Sequence, residues 1–156
     1  MSIVSAVWNE HSAYAVSDRA YLMHTEGRFR ESLALFEGLV EIYPDNLYYR
    51  DALSALHLSL ANPAEAIRYA SDVIAASPTY TSAFVRRCEG YLLLGMCDEA
   101  ERDLERLESL HAYGPARRME MRLMSVRRMQ MEHLNQRIEK LEITTANAQL
   151  DGSEKR

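Results

Sequence analysis

Apolar residues recur along this chain at the spacing of α-helices. Leu33, Phe36 and Val40 fall at i, i+3 and i+7, which places them on one face of a helix. Four later segments carry comparable stripes: Leu53, Leu56 and Leu60; Ile67, Ala70, Val73 and Ile74; Phe84, Tyr91 and Leu94; and Leu104, Leu107 and Leu110. No stretch alternates apolar and polar residues between turn signals, as a strand would. The pattern therefore predicts an all-α protein.

The helical pattern repeats every 34 residues without a gap. Three sets of equivalent positions show the period: Gly27, Ala61 and Gly95; Ser32, Ala66 and Ala100; and Pro44 with Pro78. Alignment on the two prolines defines three units, 13–46, 47–80 and 81–114. Each unit is predicted to hold two antiparallel helices, A and B, and the units to stack into a right-handed superhelical solenoid.

Residues that favour helix ends fit these boundaries. Asn46 is a suitable N-cap for the second A helix. Before the second B helix, Asn62 is predicted to cap and Pro63 to occupy the first helical position, with Glu65 at the capping-box position.

A long C-terminal helix is predicted after the three units. Gly114 and Pro115 break the chain, and neither residue type recurs from 116 to 143. We predict a helix over 115–142, so that 1–142 form a single domain and 143–156 a disordered tail. The first half of the helix is expected to pack near Leu104 and Leu107 as a cap on the solenoid.

The second half of this helix carries a heptad stripe. Met124, Met131 and Ile138 are seven residues apart, as are Leu134 and Leu141. One interpretation is a structural cap throughout. The other is that Met131, Leu134, Ile138 and Leu141 form an interface with a partner chain or a second copy.

The units resemble the tetratricopeptide-repeat family, which prefers small residues where the two helices of a unit cross. The matching residues are Ala20, Ser54 and Cys88 in the A helices, and Ser32, Ala66 and Ala100 in the B helices. At a later position of each unit, where the family also prefers a small residue, this sequence has larger ones: Leu39, Val73 and Leu107. The resemblance implies a superhelix whose concave face binds a protein or peptide.

The same resemblance implies which residues line the concave groove. They are Tyr14, Ser17, Tyr21, His24, Tyr48, Asp51, Ala55, Leu58, Ser82, Val85, Glu89 and Leu92. This lining is aromatic at one end and aliphatic at the other, which suits an extended apolar peptide. Repeat proteins that hold acidic C-termini use a clamp of Lys, Asn and Arg, and only Arg86 among the corresponding residues fits that clamp.

A narrower resemblance covers Leu35 through Leu110, which is similar to the small tetratricopeptide chaperones of bacterial type III secretion. Those proteins hold hydrophobic translocators, and a related set serves the export apparatus. The resemblance implies a cytoplasmic chaperone that binds an export substrate and forms a homodimer or a heterodimer. The competing hypothesis is an assembly scaffold or adaptor that uses the C-terminal helix and is unrelated to secretion.

Charge narrows the choice of partner. The net charge is −5, and residues 1–114 hold 17 acidic against nine basic residues. An acidic body argues against nucleic-acid binding by the repeats. Residues 115–142 hold seven basic and four acidic residues, so an RNA- or anion-binding adaptor is a weaker hypothesis; its candidates are Arg117, Arg118, Arg122, Arg127 and Arg128.

The remaining features favour a cytoplasmic location. Residues 1–7 lack the basic start of a secretory signal, and no apolar run is long enough to span a membrane. Cys88 and Cys97 are expected to be buried free thiols, which fits a reducing compartment. Residues 3–8 are apolar and are expected to pack on the first unit or to form a dimer contact.

The sequence contains no recognisable catalytic motif. The five histidines lack metal-binding spacing, and neither a phosphate-binding glycine loop nor a GxSxG motif is present. The histidines are expected at the surface or in the groove. Glu99 and Asp103 lie four apart and are expected on a solvated helix face. We therefore predict a non-catalytic protein without a cofactor or bound metal.

Overall fold

The computed structural model describes residues 10–153, which form seven α-helices and no strand. In chain order the helices are α1 (Glu10–Thr25), α2 (Phe29–Ile42), α3 (Leu47–Ser59), α4 (Pro63–Ala76), α5 (Thr81–Leu93), α6 (Cys97–Ser109) and α7 (Tyr113–Ser153). Each helix packs against the next, and α5 also contacts α3 and α7. The prediction of three helix pairs followed by a long helix is confirmed. Residues 3–8, whose packing was predicted, lie outside the described range.

The predicted crossing positions are where the two helices of each unit meet. In all three units these residues are 0–1% exposed. One residue of each crossing pair carries a hydroxyl or thiol, which donates to the backbone carbonyl of the other. The bonds run from Ser32 Oγ to the Ala20 carbonyl (2.7 Å), from Ser54 Oγ to the Ala66 carbonyl (2.8 Å), and from Cys88 Sγ to the Ala100 carbonyl (3.5 Å). The 34-residue register therefore matches the packing.

The turns between the A and B helices share one backbone conformation. Gly27 and Gly95 have φ of 79° and 72°, and Ala61 at the equivalent position has φ of 57°. Glycine adopts this left-handed region without strain, whereas the Cβ of alanine meets a carbonyl oxygen there.

We expect Ala61→Gly to raise the free energy of unfolding by about 1 kcal/mol, because it removes this strain. Chemical denaturation followed by circular dichroism measures the change. Ala34→Gly, at an exposed position inside α2, is the control and should lose about 0.5–1 kcal/mol. If both glycines destabilised the protein equally, Ala61 would not be strained.

Two helix starts differ in how they are capped. The Asn46 side chain accepts hydrogen bonds from the backbone nitrogens of Tyr48 (3.0 Å) and Tyr49 (3.3 Å), so this predicted cap is confirmed. The Asn62 side chain makes no capping bond, and that prediction is wrong. Glu65 accepts from Arg68 at 2.7 Å instead of reaching back to the helix start. Pro63 alone marks this start. Proline suits the first helical position because it has no backbone N–H, and an N–H there would have no partner within the helix.

The C-terminal helix is longer than predicted. It begins at Tyr113 and continues to Ser153, so the prediction of a disordered tail from residue 143 is wrong over 143–153. The Thr144 and Thr145 hydroxyls donate to the carbonyls of Lys140 and Leu141, each at 2.8 Å. These two threonine hydroxyls are thus bonded within the helix, and the sequence has no proline after Pro115.

The two halves of α7 have different environments, as predicted. Ala116, Met119 and Leu123 are 3–5% exposed and pack in one cluster with Leu104 and Leu107. From residue 131 to residue 145 every side chain is exposed. Within the described residues, no helix is both long enough and apolar enough to cross a membrane.

Two polar residues expected at the surface are buried. Asp103 is 3% exposed, and both its carboxylate oxygens accept hydrogen bonds from Arg87, at 2.9 Å from Nε and 2.6 Å from Nη2. His57 is 8% exposed and stacks on Tyr69, with ring centroids 5.4 Å apart. The solvated placement of Asp103 and the surface or groove placement of His57 are therefore wrong, because each has a partner on a neighbouring helix.

The cysteines follow the prediction. Cys88 and Cys97 are buried free thiols. Burial raises the pKa of Cys88 to about 12, so its thiol is protonated at neutral pH and unreactive.

Candidate functional site: the concave groove

A groove follows the A helices α1, α3 and α5 and ends against α7. It consists of three adjoining cavities. The first, which we call the aromatic cavity, has a volume of about 90 Å³ and lies between Tyr21, Phe36 and Tyr48. His24 and Arg86 line both this cavity and a second one of about 300 Å³, the polar cavity. The cavities therefore form one continuous surface.

The third cavity, the aliphatic cavity, has a volume of about 830 Å³ and opens between the end of α5 and the middle of α7. Leu92, Leu93, Val126 and Leu134 form its apolar lining. Leu93 also lines the polar cavity, so the groove passes from α3 onto α7 without a break.

Aromatic rings form the apolar part of the aromatic cavity. Tyr21 and Tyr48 are 59% and 49% exposed, whereas Phe36 beneath them is 2% exposed. The Phe36 and Tyr48 rings meet edge to face, with centroids 6.3 Å apart. Rigid aromatic walls bury a large apolar area at a small cost in side-chain entropy, which suits an anchor residue of a bound segment.

A polar cluster forms another part of the aromatic cavity and extends into the polar cavity. Ser82 Oγ donates to Asp51 Oδ2 at 2.9 Å, and Arg86 Nε lies 3.8 Å from Asp51 Oδ1. Asp51 Oδ1 and Arg86 Nε are buried and have no hydrogen-bond partner among the described residues. Burial raises the pKa of Asp51, while Arg86 and Ser82 act in the opposite direction. The cluster thus holds an ion pair whose hydrogen bonding is incomplete.

His24 and Glu89 flank this cluster. His24 Nε2 lies 3.1 Å from Ser59 Oγ, and burial together with the nearby Arg86 lowers the pKa of His24. The imidazole is therefore neutral at pH 7. Glu89 forms an ion pair with Arg122, which ties the groove wall on α5 to α7.

Most of the predicted groove residues lie on this surface. Tyr21, His24, Tyr48, Asp51 and Ala55 line the aromatic cavity, Leu58 and Glu89 the polar cavity, and Leu92 the aliphatic cavity.

Four of the predicted residues contribute differently. Ser17 is buried and donates to the Tyr14 carbonyl at 2.9 Å, and Tyr14 lines a separate cleft with Tyr43 and Tyr49. Ser82 donates a hydrogen bond to the groove residue Asp51, and the half-buried Val85 packs against the core.

Sequence reasoning missed several residues of the groove. Phe36 belongs to a B helix and was read only as core, and Val126 comes from α7, beyond the repeats. Arg86 was considered only as a clamp residue. The repeat register identifies groove positions on A helices alone, so it gave no signal for Phe36 or Val126.

Comparison with known proteins identifies relatives for part of the chain. No protein-family model matches it. The inactive TPR repeat-containing thioredoxin TTL3 of Arabidopsis thaliana is 29% identical over 103 residues, which are 58% of this chain and 15% of TTL3. The TPR repeat-containing thioredoxin TTL4 of the same plant is 27% identical over 104 residues, again 15% of its length. The chain thus matches only a small part of each relative.

Solved structures align over most of the chain. PcrH from Pseudomonas aeruginosa superposes with a TM-score of 0.70 at 19% identity, covering 76% of this chain and 94% of PcrH. The first TPR domain of Spaghetti (RPAP3), bound to the HSP90 peptide SRMEEVD, superposes with a TM-score of 0.65 at 20% identity over 74% of this chain and 96% of that domain. This chain has the tetratricopeptide-repeat fold. A further structure, PcrH with the chaperone binding region of PopD, gives a TM-score of 0.70 at 19% identity over 79% of this chain and 96% of that one.

The tetratricopeptide-repeat neighbours bind peptides or protein segments. The neighbours differ in what they bind, since one holds an HSP90 peptide and another holds segments of PopB and PopD.

Proposed function

We propose that this chain is a non-catalytic chaperone that holds an apolar, extended segment of a type III secretion protein in its concave groove. The observation that carries the proposal is the continuous groove with an aromatic cavity at one end and an aliphatic cavity at the other. An extended segment that places apolar side chains in both cavities would bury apolar surface, and so remove it from water, at two separated points.

The polar cluster favours this function over the binding of an acidic C-terminus. Recognition of a carboxylate needs several donors that converge on it. Here Arg86 already faces the carboxylate of Asp51 at 3.8 Å, and Ser82 donates to that same carboxylate. A ligand carboxylate would therefore meet a buried acidic group beside the arginine.

The link to secretion rests on two observations. Residues 35–110 resemble the type III secretion chaperones in sequence, and PcrH, which is known in complex with the chaperone binding region of a second protein, superposes on this chain. The two buried free thiols are consistent with the cytoplasm. The export substrate is the partner that this function requires.

Co-purification from the native host, followed by mass spectrometry, would identify the client and its bound segment. Tyr48→Ala should then weaken binding of that segment, measured by fluorescence anisotropy, by at least about tenfold, because it removes one wall of the aromatic cavity. Tyr21→Ala should act in the same direction. Tyr113→Ala is the control, since Tyr113 is 63% exposed and lies outside the groove.

A second probe tests the kind of ligand. The peptide SRMEEVD should show no saturable binding to the parent protein. Saturable binding of SRMEEVD, or unchanged client affinity in both tyrosine variants with folding intact, would contradict the proposed function.

A second candidate function is an assembly scaffold that works through α7. It is favoured by the exposed stripe of Met131, Leu134, Ile138 and Leu141, which are 45–65% exposed. In that case the tyrosine variants would bind normally, and substitution of Ile138 or Leu141, which lie outside the groove, would abolish the association.

A further inference from the structure

Arg86 is a charged residue of the groove whose hydrogen bonds are unused. It lines both the aromatic and the polar cavity, and its side chain is 33% exposed. Its ion-pair partner is Asp51, whose Oδ1 lies 3.8 Å from Nε, and within residues 10–153 the guanidinium donates no hydrogen bond. Nε is itself buried. A bound segment would therefore reach the two Nη groups, which carry the remaining N–H donors.

The charges around the polar cavity cancel. Arg86 is paired with Asp51, and Glu89 is paired with Arg122 of α7. His24 is neutral at pH 7, because burial and the nearby Arg86 lower its pKa. An acidic ligand side chain beside Arg86 would lie close to Asp51 and Glu89, and a basic one would meet the arginine itself. A neutral hydrogen-bond acceptor meets neither penalty.

The main chain of an extended segment supplies a neutral acceptor whatever its sequence. A segment with side chains in the aromatic and aliphatic cavities must cross the polar cavity, which shares lining residues with each of them. A carbonyl that faces the groove at this point loses water and needs a donor. A charged donor such as a guanidinium forms a stronger hydrogen bond than a neutral one.

We propose that Arg86 donates to a main-chain carbonyl of the bound segment in the polar cavity, and that Asp51 makes this site selective for a neutral group. Asp51 holds the guanidinium at the cavity wall and cancels its charge, and Ser82 fixes the carboxylate by donating to Oδ2 at 2.9 Å. The contact rests on the proposed function, because it requires an extended segment in the groove. The segment residue at this point then varies in type but carries no charge.

Selection from a phage-displayed library of random linear peptides tests the selectivity. Against the parent, enriched peptides should carry two apolar positions and, between them, a variable residue from which acidic and basic types are depleted. Asp51→Asn keeps the shape of the side chain but removes its charge, so acidic residues should become enriched at that position. Asp72→Asn is the control, since it makes the same change at an exposed position of α4 and should leave the parent pattern.

A backbone-ester scan of one enriched peptide tests the main-chain contact. An ester carbonyl is a weaker acceptor than an amide carbonyl, so the ester that faces Arg86 should weaken binding by about tenfold, measured by fluorescence anisotropy. Arg86→Met should remove this sensitivity, whereas Arg118→Met, at an exposed position of α7 outside the groove, should keep it. If Arg86→Met alone does not fold, as judged by circular dichroism, the double variant with Asp51→Asn replaces it, because it leaves no uncompensated charge.

The outcomes separate this contact from the proposed function. If Tyr48→Ala weakens binding of the enriched peptides but acidic residues are equally frequent in the parent and Asp51→Asn selections, the selectivity assigned to Asp51 is wrong. An invariant Asn or Gln between the apolar positions means that a side-chain amide is the acceptor, and the absence of any ester effect that depends on Arg86 also removes the main-chain contact. If no peptide is enriched, or none depends on Tyr48, the proposed function fails and the contact fails with it.

Discussion

Replacement of Asp103 by alanine is expected to lower the free energy of unfolding by about 3–5 kcal/mol, the usual cost of removing one partner from a buried ion pair. The Asp103 side chain is 4% exposed and that of Arg87 is 22% exposed. Both carboxylate oxygens accept hydrogen bonds from Arg87, whose Nη1 is also 3.3 Å from Ser71 Oγ. Without Asp103, the guanidinium remains between α4, α5 and α6 without its counter-charge.

Urea denaturation followed by circular dichroism measures this effect, and two variants control it. Glu65→Ala breaks the Arg68–Glu65 pair, whose side chains are 50% and 49% exposed, and should cost at most about 1 kcal/mol. The double variant Arg87→Met with Asp103→Leu removes both charges and should lie close to the parent. If Asp103→Ala cost no more than Glu65→Ala, the buried pair would not stabilise the fold.

Helix content and order could be predicted because the 34-residue period constrains many residues at once. A unit repeated three times places the same small residues at each helix crossing, and 0–1% exposure at those positions confirms the register. Proline and glycine at fixed positions located the turns, and even Ala61 follows its neighbours into a left-handed conformation.

Pairs between helices could not be predicted in the same way. Asp103 lies on a helix with many acidic residues, and the sequence does not show that Arg87, 16 positions earlier, points at it. His57 likewise stacks on a tyrosine of the next helix. Periodicity identifies which face of a helix is buried, but it does not identify which polar residue on that face has a partner.

In the groove, too, the repeat period predicted which residues share a surface but not which of them contact one another. The repeat register placed Tyr21, Tyr48 and Asp51 on one surface, because equivalent A-helix positions point the same way in successive units. It did not reveal that Asp51 is nearly buried beneath Ser82 and Arg86, since that contact joins two units. The polar cluster was therefore visible only in three dimensions.

Only small side chains fit where the two helices of a unit cross, and Ala66 is the clearest example. Ala66 is 0% exposed, and its carbonyl accepts the Ser54 hydroxyl at 2.8 Å across the crossing of α3 and α4. Ala66→Leu adds three carbon atoms where the Ser54 side chain already contacts the Ala66 backbone. We expect a loss of about 3 kcal/mol in the free energy of unfolding, the upper end of the usual cost of overpacking.

A matched substitution separates overpacking from the effect of leucine itself. Ala64 is exposed and lies two residues away in the same helix, so Ala64→Leu should change stability by no more than about 0.5 kcal/mol. Thermal unfolding of both variants by calorimetry gives the comparison. Equal melting temperatures for Ala66→Leu and the parent would mean that α3 and α4 do not cross at Ala66. Because Ala100 and Ser32 occupy the same place in the other units, that result would count against the crossing geometry of the whole solenoid.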